Sequence, residues 1–385
     1  MRIDRRVAMA SLLAVIAAPN PSAAGTTGRW TQVEAAARKM VDDRLTPGLQ
    51  ICVRQRGATV FSRGFGQADL ETATPMTPTT VCRIGSVSKQ FTAAGILLLA
   101  QDGKLSLDDP LSRFIPDFPN AERLSIRRLL SHTTGLGNYT ETTPPELIWQ
   151  LARTDRDSAQ MLQLMRLSGA NLLFEPGTNY RYSNTGYVLL GIVIEKLSGL
   201  SYRDFMRERL FTPLGLSRTA VDDVAEVVPN RAAGYTDDPK AASGFDNASF
   251  TSMTYPGGAG ALRSTCEDLC AWHAALLGGK ALQPAMLQAM LTPITLNDGS
   301  LPQQTNRKAA VRYGFGIGVN PVDGRAAVSH GGSIQGFGSF LETLQAERVT
   351  MAMIINTDGG AKAPASFGPS WAELQKLLRA AALAA

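Results

Sequence analysis

The order of its segments most constrains the fold of this chain, because strand-like runs lie towards both ends and helical runs lie between them. Residues 49–55 and 59–65 are strand-like and are joined by Arg56-Gly57-Ala58, which predicts a hairpin. Residues 338–344 and 349–356 alternate around a short turn and predict a second hairpin. Two hairpins so far apart in sequence most simply join into one sheet. Shorter strand-like runs lie at residues 81–84, 313–319 and 326–329.

Helical patterns fill most of the chain between the two hairpins. Residues 88–101 are apolar on nearly all sides and are followed by Gly103, which predicts a central, buried helix. Other helices are predicted at residues 126–131, 147–167, 185–197, 202–210 and 265–277, and near the two ends of the chain at 30–44 and 371–384.

This pattern predicts an α/β fold with two lobes. An antiparallel sheet flanked by the terminal helices is expected to form one lobe, from about residues 28–85 and 255–385. An all-helical lobe is expected over about residues 86–254. The two lobes together make one predicted domain, residues 25–385, with the active site in the cleft between them.

The first 24 residues have the pattern of a secretory signal peptide. A basic start at Arg2, Arg5 and Arg6 precedes an apolar run over residues 7–18, and Ser22-Ala23-Ala24 offers small residues for cleavage. The apolar run is too short to span a bilayer. We therefore expect a periplasmic or secreted protein, exported by the general route or, as the arginine pair also allows, by the twin-arginine route.

Composition narrows the class of protein. The chain has 385 residues, of which 44% are hydrophobic and 18% charged, and this range excludes a disordered tail, a fibre or a disulfide-stapled miniprotein. Its net charge of +5 falls to about +3 without the leader, and no basic patch remains to bind nucleic acid. No other run of 18 apolar residues predicts a membrane span. The expected partner is a small-molecule or peptide substrate, and the oligomeric state stays open.

The four cysteines do not form a disulfide framework in so long a chain. Cys266 and Cys270 are four residues apart and share one face of a predicted helix, a spacing that metal ligands also use. Only His273 is near them, so buried thiols are favoured over a zinc site. A pairing of Cys52 with Cys82 stays open. We expect neither a metal nor another cofactor.

The first motif with catalytic chemistry is Ser86-Val87-Ser88-Lys89 at the start of the central helix. Residues three apart on a helix face the same side, so the Lys89 amine can reach the Ser86 hydroxyl. Serine becomes a nucleophile when a base takes its proton, and a lysine with a pKa lowered by burial can be that base. Alone, the motif is better explained as a helix cap with a solvated lysine.

Two further motifs add weak signals of the same kind. Tyr182-Ser183-Asn184 offers a phenol for proton transfer and an amide that can bind a substrate carbonyl and position a lysine. His330-Gly331-Gly332-Ser333 ends a short strand, where glycines let a substrate lie close to the strand edge. The amides of Ser333 and Ser86 could form an oxyanion hole. Each motif alone is more simply a helix cap or a tight turn.

Taken in order, the three motifs resemble the serine β-lactamase and penicillin-binding protein superfamily. The similarity is greatest to its branch of class C β-lactamases, esterases and D-specific peptidases, which has S-x-x-K on a buried helix, then Y-x-N, then K/H-x-G on a strand. It extends over nearly the whole chain after the leader. Further segments typical of the superfamily lie at residues 83–91, 129–136, 175–191, 214–216 and 329–332.

The resemblance implies a two-lobed β-lactamase-like fold and an acyl-enzyme mechanism. Ser86 would be the acylated nucleophile, and Lys89 and Tyr182 its proton-transfer partners, with the base for acylation left open between the last two. Asn184 would bind the substrate amide. The docking edge for the substrate would be formed by His330, Gly331, Gly332 and Ser333.

Supporting roles follow for residues in the segment 132–139. Asn138 and Tyr139 are weak candidates for the rim of the cleft, and His132 is expected to be a structural loop residue.

One departure from the class C pattern bears on the substrate. Dedicated class C β-lactamases have lysine where this chain has His330, and an imidazole is mostly uncharged near neutral pH. We therefore expect an exported serine hydrolase of esterase or D-peptidase type, with a β-lactamase as the alternative. Preference for carboxylate-bearing substrates should grow as pH falls through the His330 pKa. From another class, a non-hydrolytic penicillin-recognising sensor or scaffold is disfavoured by the intact motifs.

Overall fold

The computed structural model describes residues 28–143, 145–303, 310–360 and 362–384. The predicted leader, residues 1–24, lies outside them. Within these ranges, none of the helices combines the length and the apolar character needed to cross a membrane.

Strands lie before and after a long helical region, as the sequence predicts. In chain order the strands are β1 (Gly48–Gln55), β2 (Ala58–Asp69), β3 (Thr74–Pro75), β4 (Cys82–Arg83), β5 (Ala220–Val221), β6 (Tyr235–Asp237), β7 (Phe245–Asn247), β8 (Leu262–Ser264), β9 (Ala327–Ile334), β10 (Phe337–Leu344) and β11 (Val349–Ile355).

The helices surround the main sheet and fill the second lobe. In chain order they are α1 (Thr31–Asp42), α2 (Ser88–Gln101), α3 (Ile126–Leu130), α4 (Tyr139–Thr142), α5 (Pro145–Ala152), α6 (Ser158–Ser168), α7 (Asn184–Ser198), α8 (Tyr202–Met206), α9 (Cys266–Leu277), α10 (Pro284–Leu291) and α11 (Phe367–Leu383).

The main sheet is antiparallel and has six strands, in the order β3-β2-β1-β11-β10-β9. Both predicted hairpins, β1–β2 and β10–β11, are present, and β1 pairs with β11 so that Ile51 faces Met353. The expectation that the two ends of the chain form one sheet is thus confirmed. Strand β9 forms one edge.

Apolar side chains on both faces of the main sheet pack against helices. Ile51 and Met353 belong to a core with the terminal helices α1 and α11, whereas Cys52 and Ile354 belong to the core that contains α2 and α9. Side chains of successive strand residues point to opposite faces, so one strand serves both cores. The fold is therefore the expected α/β arrangement, a sheet flanked by terminal helices beside a helical lobe.

Some elements differ from the sequence prediction. The helix expected over residues 147–167 is two helices, α5 and α6, because Asp157 begins a new helix in a capping box with Gln160. The strand expected at 313–319 is a loop with isolated bridges, in which Gly316 has a φ of +71°. Short strands β5 to β7 lie in the mostly helical region. The lobe boundaries near residues 86 and 255 stay predictions.

Candidate active site

Ser86 lies in a single 3-10 turn, Gly85–Val87, that leads directly into α2. Gly85 has a φ of +48°, which an L-residue rarely adopts, and this turn places Ser86 at the helix start. Lys89 follows one turn later, and its Nζ donates to Ser86 Oγ at 3.1 Å. Ser86 is half-buried and Lys89 is fully buried. The hydroxyl can therefore meet a substrate while the amine stays away from solvent.

The amine of Lys89 is held by neutral groups. Besides Ser86, its Nζ donates to Asn184 Oδ1 at 2.8 Å and to the carbonyl of Ala259 at 2.7 Å. Burial holds the pKa of Lys89 well below its ordinary value. The ammonium form donates to all three oxygens. The Asn184 and Ala259 oxygens can only accept, so the neutral amine keeps both hydrogens on them and its lone pair accepts from Ser86. This arrangement suits a base.

The ring of Tyr182 also lies beside the Lys89 amine. The Lys89 Nζ is 4.7 Å from the centre of the Tyr182 ring. Burial raises the pKa of the Tyr182 phenol, and a hydrogen bond with Ser86 opposes that rise. The phenol is therefore protonated at neutral pH and stands next to the serine, where it can give up a proton during a reaction.

His132 supports the segment that carries Tyr182 and Asn184. Its φ is +60°, and its Nδ1 accepts a hydrogen bond from the Ser183 amide at 3.2 Å. Its ring centre lies 4.3 Å from that of Tyr182. Burial, together with the charges of Lys89 and His330, keeps the pKa of His132 far below its usual range. A neutral, buried imidazole behind the phenol agrees with the structural role expected of His132.

Asn184 is the first residue of α7, and hydrogen bonds to Asn138 and Thr140 fix its position. Its backbone amide donates to Asn138 Oδ1 at 3.2 Å, and its Nδ2 donates to Thr140 Oγ1 at 3.2 Å. Asn138 and Tyr139 are almost fully buried, so Asn138 supports Asn184 instead of forming an exposed rim. Tyr139 lines the cleft and donates from its hydroxyl to the carbonyl of Tyr255 at 2.7 Å.

Strand β9 lies directly against the turn that carries Ser86. A Cβ on Gly332 would lie 2.1 Å from the carbonyl oxygen of Ile84, and a Cβ on Gly85 would lie 2.9 Å from the amide nitrogen of Ser333. Only glycine at both positions allows this approach. The sequence-predicted docking residues and the predicted nucleophile are therefore brought together.

The register of β9 shows which backbone groups face the cleft. Ile334 and Phe337 close a two-residue hairpin, so they exchange hydrogen bonds, and Ser333 belongs to the next, non-bonded pair. The same alternation turns the backbone of Ser329 outward, where it exchanges hydrogen bonds with Gly318 at 2.9 and 3.0 Å. The outward amide of Ser333 lies beside Gly85, which suits it to bind an oxyanion with the Ser86 amide.

His330 lies at the opposite end of this free edge. Its Nε2 is 2.9 Å from the hydroxyl of Tyr313, and its Nδ1 is 2.5 Å from the carbonyl of Gly331. Burial, aided by the charge of Lys89, lowers the pKa of His330 to about 4. Nothing in the sequence motifs pointed to Tyr313, because it comes from the glycine-rich loop that follows α10.

The cleft beside Ser86 has a volume of about 400 Å³. Its walls come from distant parts of the chain, including the 3-10 turn Gly257–Ala259 and the segment after β11. The sequence motifs did not identify these walls. The residues that line it are Gly85, Ser86, Tyr139, Thr140, Asn184, Thr251, Tyr255, Pro256, Ala259, Gly260, Ser333, Ile334, Gln335, Asp358 and Gly360.

The cysteines and possible metal ligands lie apart from this chemistry. Cys52, Cys82, Cys266 and Cys270 are all buried and free. Within the described ranges, no group of three or more histidine, cysteine, aspartate or glutamate side chains is placed to hold a metal ion.

Comparison with known proteins gives a consistent set of matches. The family model described as Beta-lactamase matches residues 33–373. Penicillin-binding protein 4* of Bacillus subtilis is 30% identical over 326 residues, which cover 80% of this chain and 68% of that protein. A D-aminopeptidase of Brucella anthropi is 31% identical over 335 residues, 86% of this chain. The match covers 60% of that enzyme's length.

Solved structures match over most of the chain. The D-amino acid amidase from Ochrobactrum anthropi SV3, complexed with L-phenylalanine amide, has a TM-score of 0.74 and 25% identity, covering 91% of this chain and 99% of that one. The octameric penicillin-binding protein homologue from Pyrococcus abyssi has a TM-score of 0.74 and 26% identity, covering 90% of this chain and 77% of that one.

Proposed function

The chain belongs to the Beta-lactamase family and is a serine hydrolase, and from that premise we propose that Ser86 is the nucleophile that becomes acylated. The observation that carries this proposal is the hydrogen bond of 3.1 Å between the half-buried Ser86 hydroxyl and the buried Lys89 amine. The position of the hydroxyl at a helix start, next to the Ser333 amide, also favours the anion that forms on attack.

Acylation follows from the contact of neutral Lys89 with Ser86, because both amine hydrogens are donated to Asn184 and Ala259 and the lone pair is left for the serine. Neutral Lys89 takes the proton of Ser86, and the freed oxygen attacks the substrate carbonyl carbon. The carbonyl oxygen becomes an oxyanion between the Ser86 and Ser333 amides. Tyr182 then protonates the leaving nitrogen or oxygen as its bond to carbon breaks, and the phenolate recovers a proton from the Lys89 ammonium 4.7 Å from its ring centre.

Deacylation uses the same groups in the reverse sense. Water takes the place of the leaving group and gives a proton to the Tyr182–Lys89 pair as it attacks the ester carbonyl. The Ser86–acyl bond then breaks, the serine oxygen takes back its proton, and the acid product leaves. Because Asn184 donates to Thr140 and accepts from Lys89, it positions the base through both steps and keeps one amide hydrogen for the substrate.

The proposed substrates are amides or esters of D-amino acids and short D-peptides. Relatives named D-aminopeptidase and D-amino acid amidase support this class. The match to a penicillin-binding protein keeps hydrolysis of β-lactams as the second candidate. The first candidate is favoured because His330, with its pKa lowered to about 4, is neutral at pH 7 and lacks the fixed charge that holds a β-lactam carboxylate.

We also propose that the protein works outside the cytoplasm, on the basis of the leader pattern in residues 1–24. Fractionation of cells that express the full chain tests this proposal. A full-length, uncleaved protein confined to the cytosol would overturn it.

Active-site labelling tests the nucleophile. A fluorophosphonate probe should add to Ser86 alone, as read by mass spectrometry, and Ser86→Ala should abolish both labelling and hydrolysis of p-nitrophenyl acetate. Ser88→Ala is the matched control, because Ser88 is fully buried and accepts a hydrogen bond from the Leu262 amide at 3.1 Å. Labelling at another serine, or full labelling of Ser86→Ala, would contradict the assignment.

Substrate profiling tests the class. D-alanine p-nitroanilide should be hydrolysed faster than L-alanine p-nitroanilide and faster than nitrocefin, compared by kcat/KM. A preference for nitrocefin would favour the second candidate, and hydrolysis of p-nitrophenyl acetate alone would indicate an esterase.

A further inference from the structure

The cleft beside Ser86 carries an unpaired negative charge. Among the described residues that line it, Asp358 is the only one with a charged side chain, and it is half-buried. It lies three residues after the end of β11. A lone carboxylate in a partly enclosed cleft attracts a cation more strongly than one on an open surface.

The contacts of Asp358 are long and uncharged. Its Oδ1 accepts from the Gly360 amide at 3.2 Å and from Thr236 Oγ1 at 3.3 Å, and its Oδ2 accepts from the Gly336 amide at 3.5 Å. No described lysine, arginine or histidine forms an ion pair with it. The pKa of Asp237 is raised by burial and also by the negative charge of Asp358. The carboxylate is thus held in place but not neutralised.

Asp358 lies at one end of the substrate edge, the free edge of β9 along which the substrate is proposed to bind. The free edge of β9 begins near the neutral His330, passes Ser333 beside the nucleophile, and ends at the turn Gln335-Gly336. The hydrogen bond from Gly336 joins Asp358 to that turn. At about 3.3 Å per residue of strand, the turn begins roughly 7 Å beyond Ser333. A substrate bound along this edge therefore has a neutral neighbour at one end and a carboxylate at the other.

Two hydroxyls in the same cleft also lack partners. Thr251 and Tyr255 line it with Asp358, are 1% and 4% exposed, and have hydroxyl oxygens with no hydrogen-bond partner within the described part of the chain. Buried polar groups are usually hydrogen-bonded, and an unpaired one is costly. Both oxygens are buried, so a ligand in the cleft reaches them only after a local movement.

We propose that Asp358 is a specificity-determining residue that binds a protonated amine on the acyl part of the substrate. This inference rests on the proposed function of Ser86. It goes further by stating which charge on the substrate the site selects. The site accordingly prefers substrates with a free ammonium group to the same compounds with an acylated amine.

Competition against a neutral ester tests this selection without requiring that the amides be hydrolysed. The hydrolysis of p-nitrophenyl acetate is measured at pH 6.5 with D-alaninamide or N-acetyl-D-alaninamide as inhibitor. The wild type should bind the cationic amide more tightly. Asp358→Asn should weaken that inhibitor about tenfold to a hundredfold, the range of a charge-assisted hydrogen bond, and leave the acetylated one within about twofold.

Controls separate this inference from the proposed function. Asp238→Asn is the matched variant, because Asp238 is a nearby carboxylate that does not line the cleft, and it should keep the wild-type ratio of the two inhibition constants. Equal weakening of both inhibitors in Asp358→Asn, or no weakening, would overturn the inference while ester hydrolysis persists. If the wild type does not hydrolyse the ester and forms no adduct on Ser86, the proposed function is contradicted instead.

Discussion

The imidazole of His330 is fixed between the hydroxyl of Tyr313, 2.9 Å from its Nε2, and the carbonyl of Gly331, 2.5 Å from its Nδ1. A carbonyl can only accept, so Nδ1 carries the proton and Nε2 accepts from Tyr313. Both nitrogens are thus satisfied in the neutral ring. Burial and the charge of Lys89 lower the pKa of His330 to about 4, and the hydrogen bond to the Gly331 carbonyl opposes that fall without cancelling it.

The first prediction concerns pH and specificity. Since the pKa of His330 is about 4, its ring is neutral from pH 8 down to about pH 5 and gains charge only below that. The ratio of kcat/KM for nitrocefin to that for p-nitrophenyl acetate should therefore be flat from pH 8 to 5 and rise towards pH 4. His330→Gln should remove the rise. A midpoint near pH 6.5 in the wild type would contradict the lowered pKa.

The second prediction concerns a fixed charge at the same place. His330→Lys introduces an ammonium at the end of the substrate edge, so carboxylate-bearing substrates should gain relative to neutral esters by about tenfold to a hundredfold, or roughly 1 to 3 kcal/mol. The comparison of nitrocefin with p-nitrophenyl acetate at pH 7 measures it. An unchanged ratio would place residue 330 beyond the reach of the substrate.

The third prediction concerns the proton-transfer pair. Lys89→Ala and Tyr182→Phe should each lower turnover of p-nitrophenyl acetate by at least about a hundredfold, because each removes one member of a single relay. The double variant should lose much less than the product of the two effects. Circular dichroism checks that the fold is kept. Losses that multiply would show that the two residues act independently.

The fourth prediction concerns the contact between β9 and the nucleophile turn. A Cβ on Gly332 would lie 2.1 Å from Ile84 O and 2.4 Å from Ser339 Oγ, whereas the nearest atom to one on Gly331 is 3.9 Å away. Gly332→Ala should therefore lower the Tm and slow the labelling of Ser86 by about a hundredfold, since displacement of the strand misplaces the oxyanion site. Gly331→Ala should keep the wild-type Tm. Equal Tm values for both variants would contradict this packing.

The fifth prediction concerns stability and acid. His273 is fully buried between Gln90 and Thr343, and burial lowers its pKa to about 3. Between pH 6.5 and 3 the unfolded chain binds a proton there and the folded chain does not, so acid destabilises the fold by up to about 1.4 kcal/mol per pH unit.

Urea unfolding from pH 7 to 4 measures this contribution. His273→Gln should make the fall in the free energy of unfolding shallower by about that amount per pH unit. Thr343→Val is the control, because it removes the hydroxyl beside His273 without removing a titrating group, and should keep the wild-type slope. A slope unchanged in His273→Gln would mean that His273 titrates normally.

Some parts of the site are visible in the sequence because they are local. The apolar run at residues 88–101 predicts α2 with its observed bounds, and the spacing of Ser86 and Lys89 places their side chains one turn apart. The prediction of one helix over 147–167 was wrong, because the polar run at residues 153–158 interrupts the apolar pattern and Asp157 begins a second helix there.

Other features arise only when distant segments meet. The sequence determines the three motifs proposed to be catalytic, the hairpins and the order of strand-rich and helical segments, since each depends on neighbours within a few residues. The tertiary structure decides that Ala259 holds the lysine, that burial beside Lys89 keeps His330 neutral and that Asp358 enters the cleft. These features depend on burial and on contacts between segments that are far apart in the sequence, as Lys89 and Ala259 are. A pKa responds to the surroundings of its group, and those surroundings exist only in the folded protein.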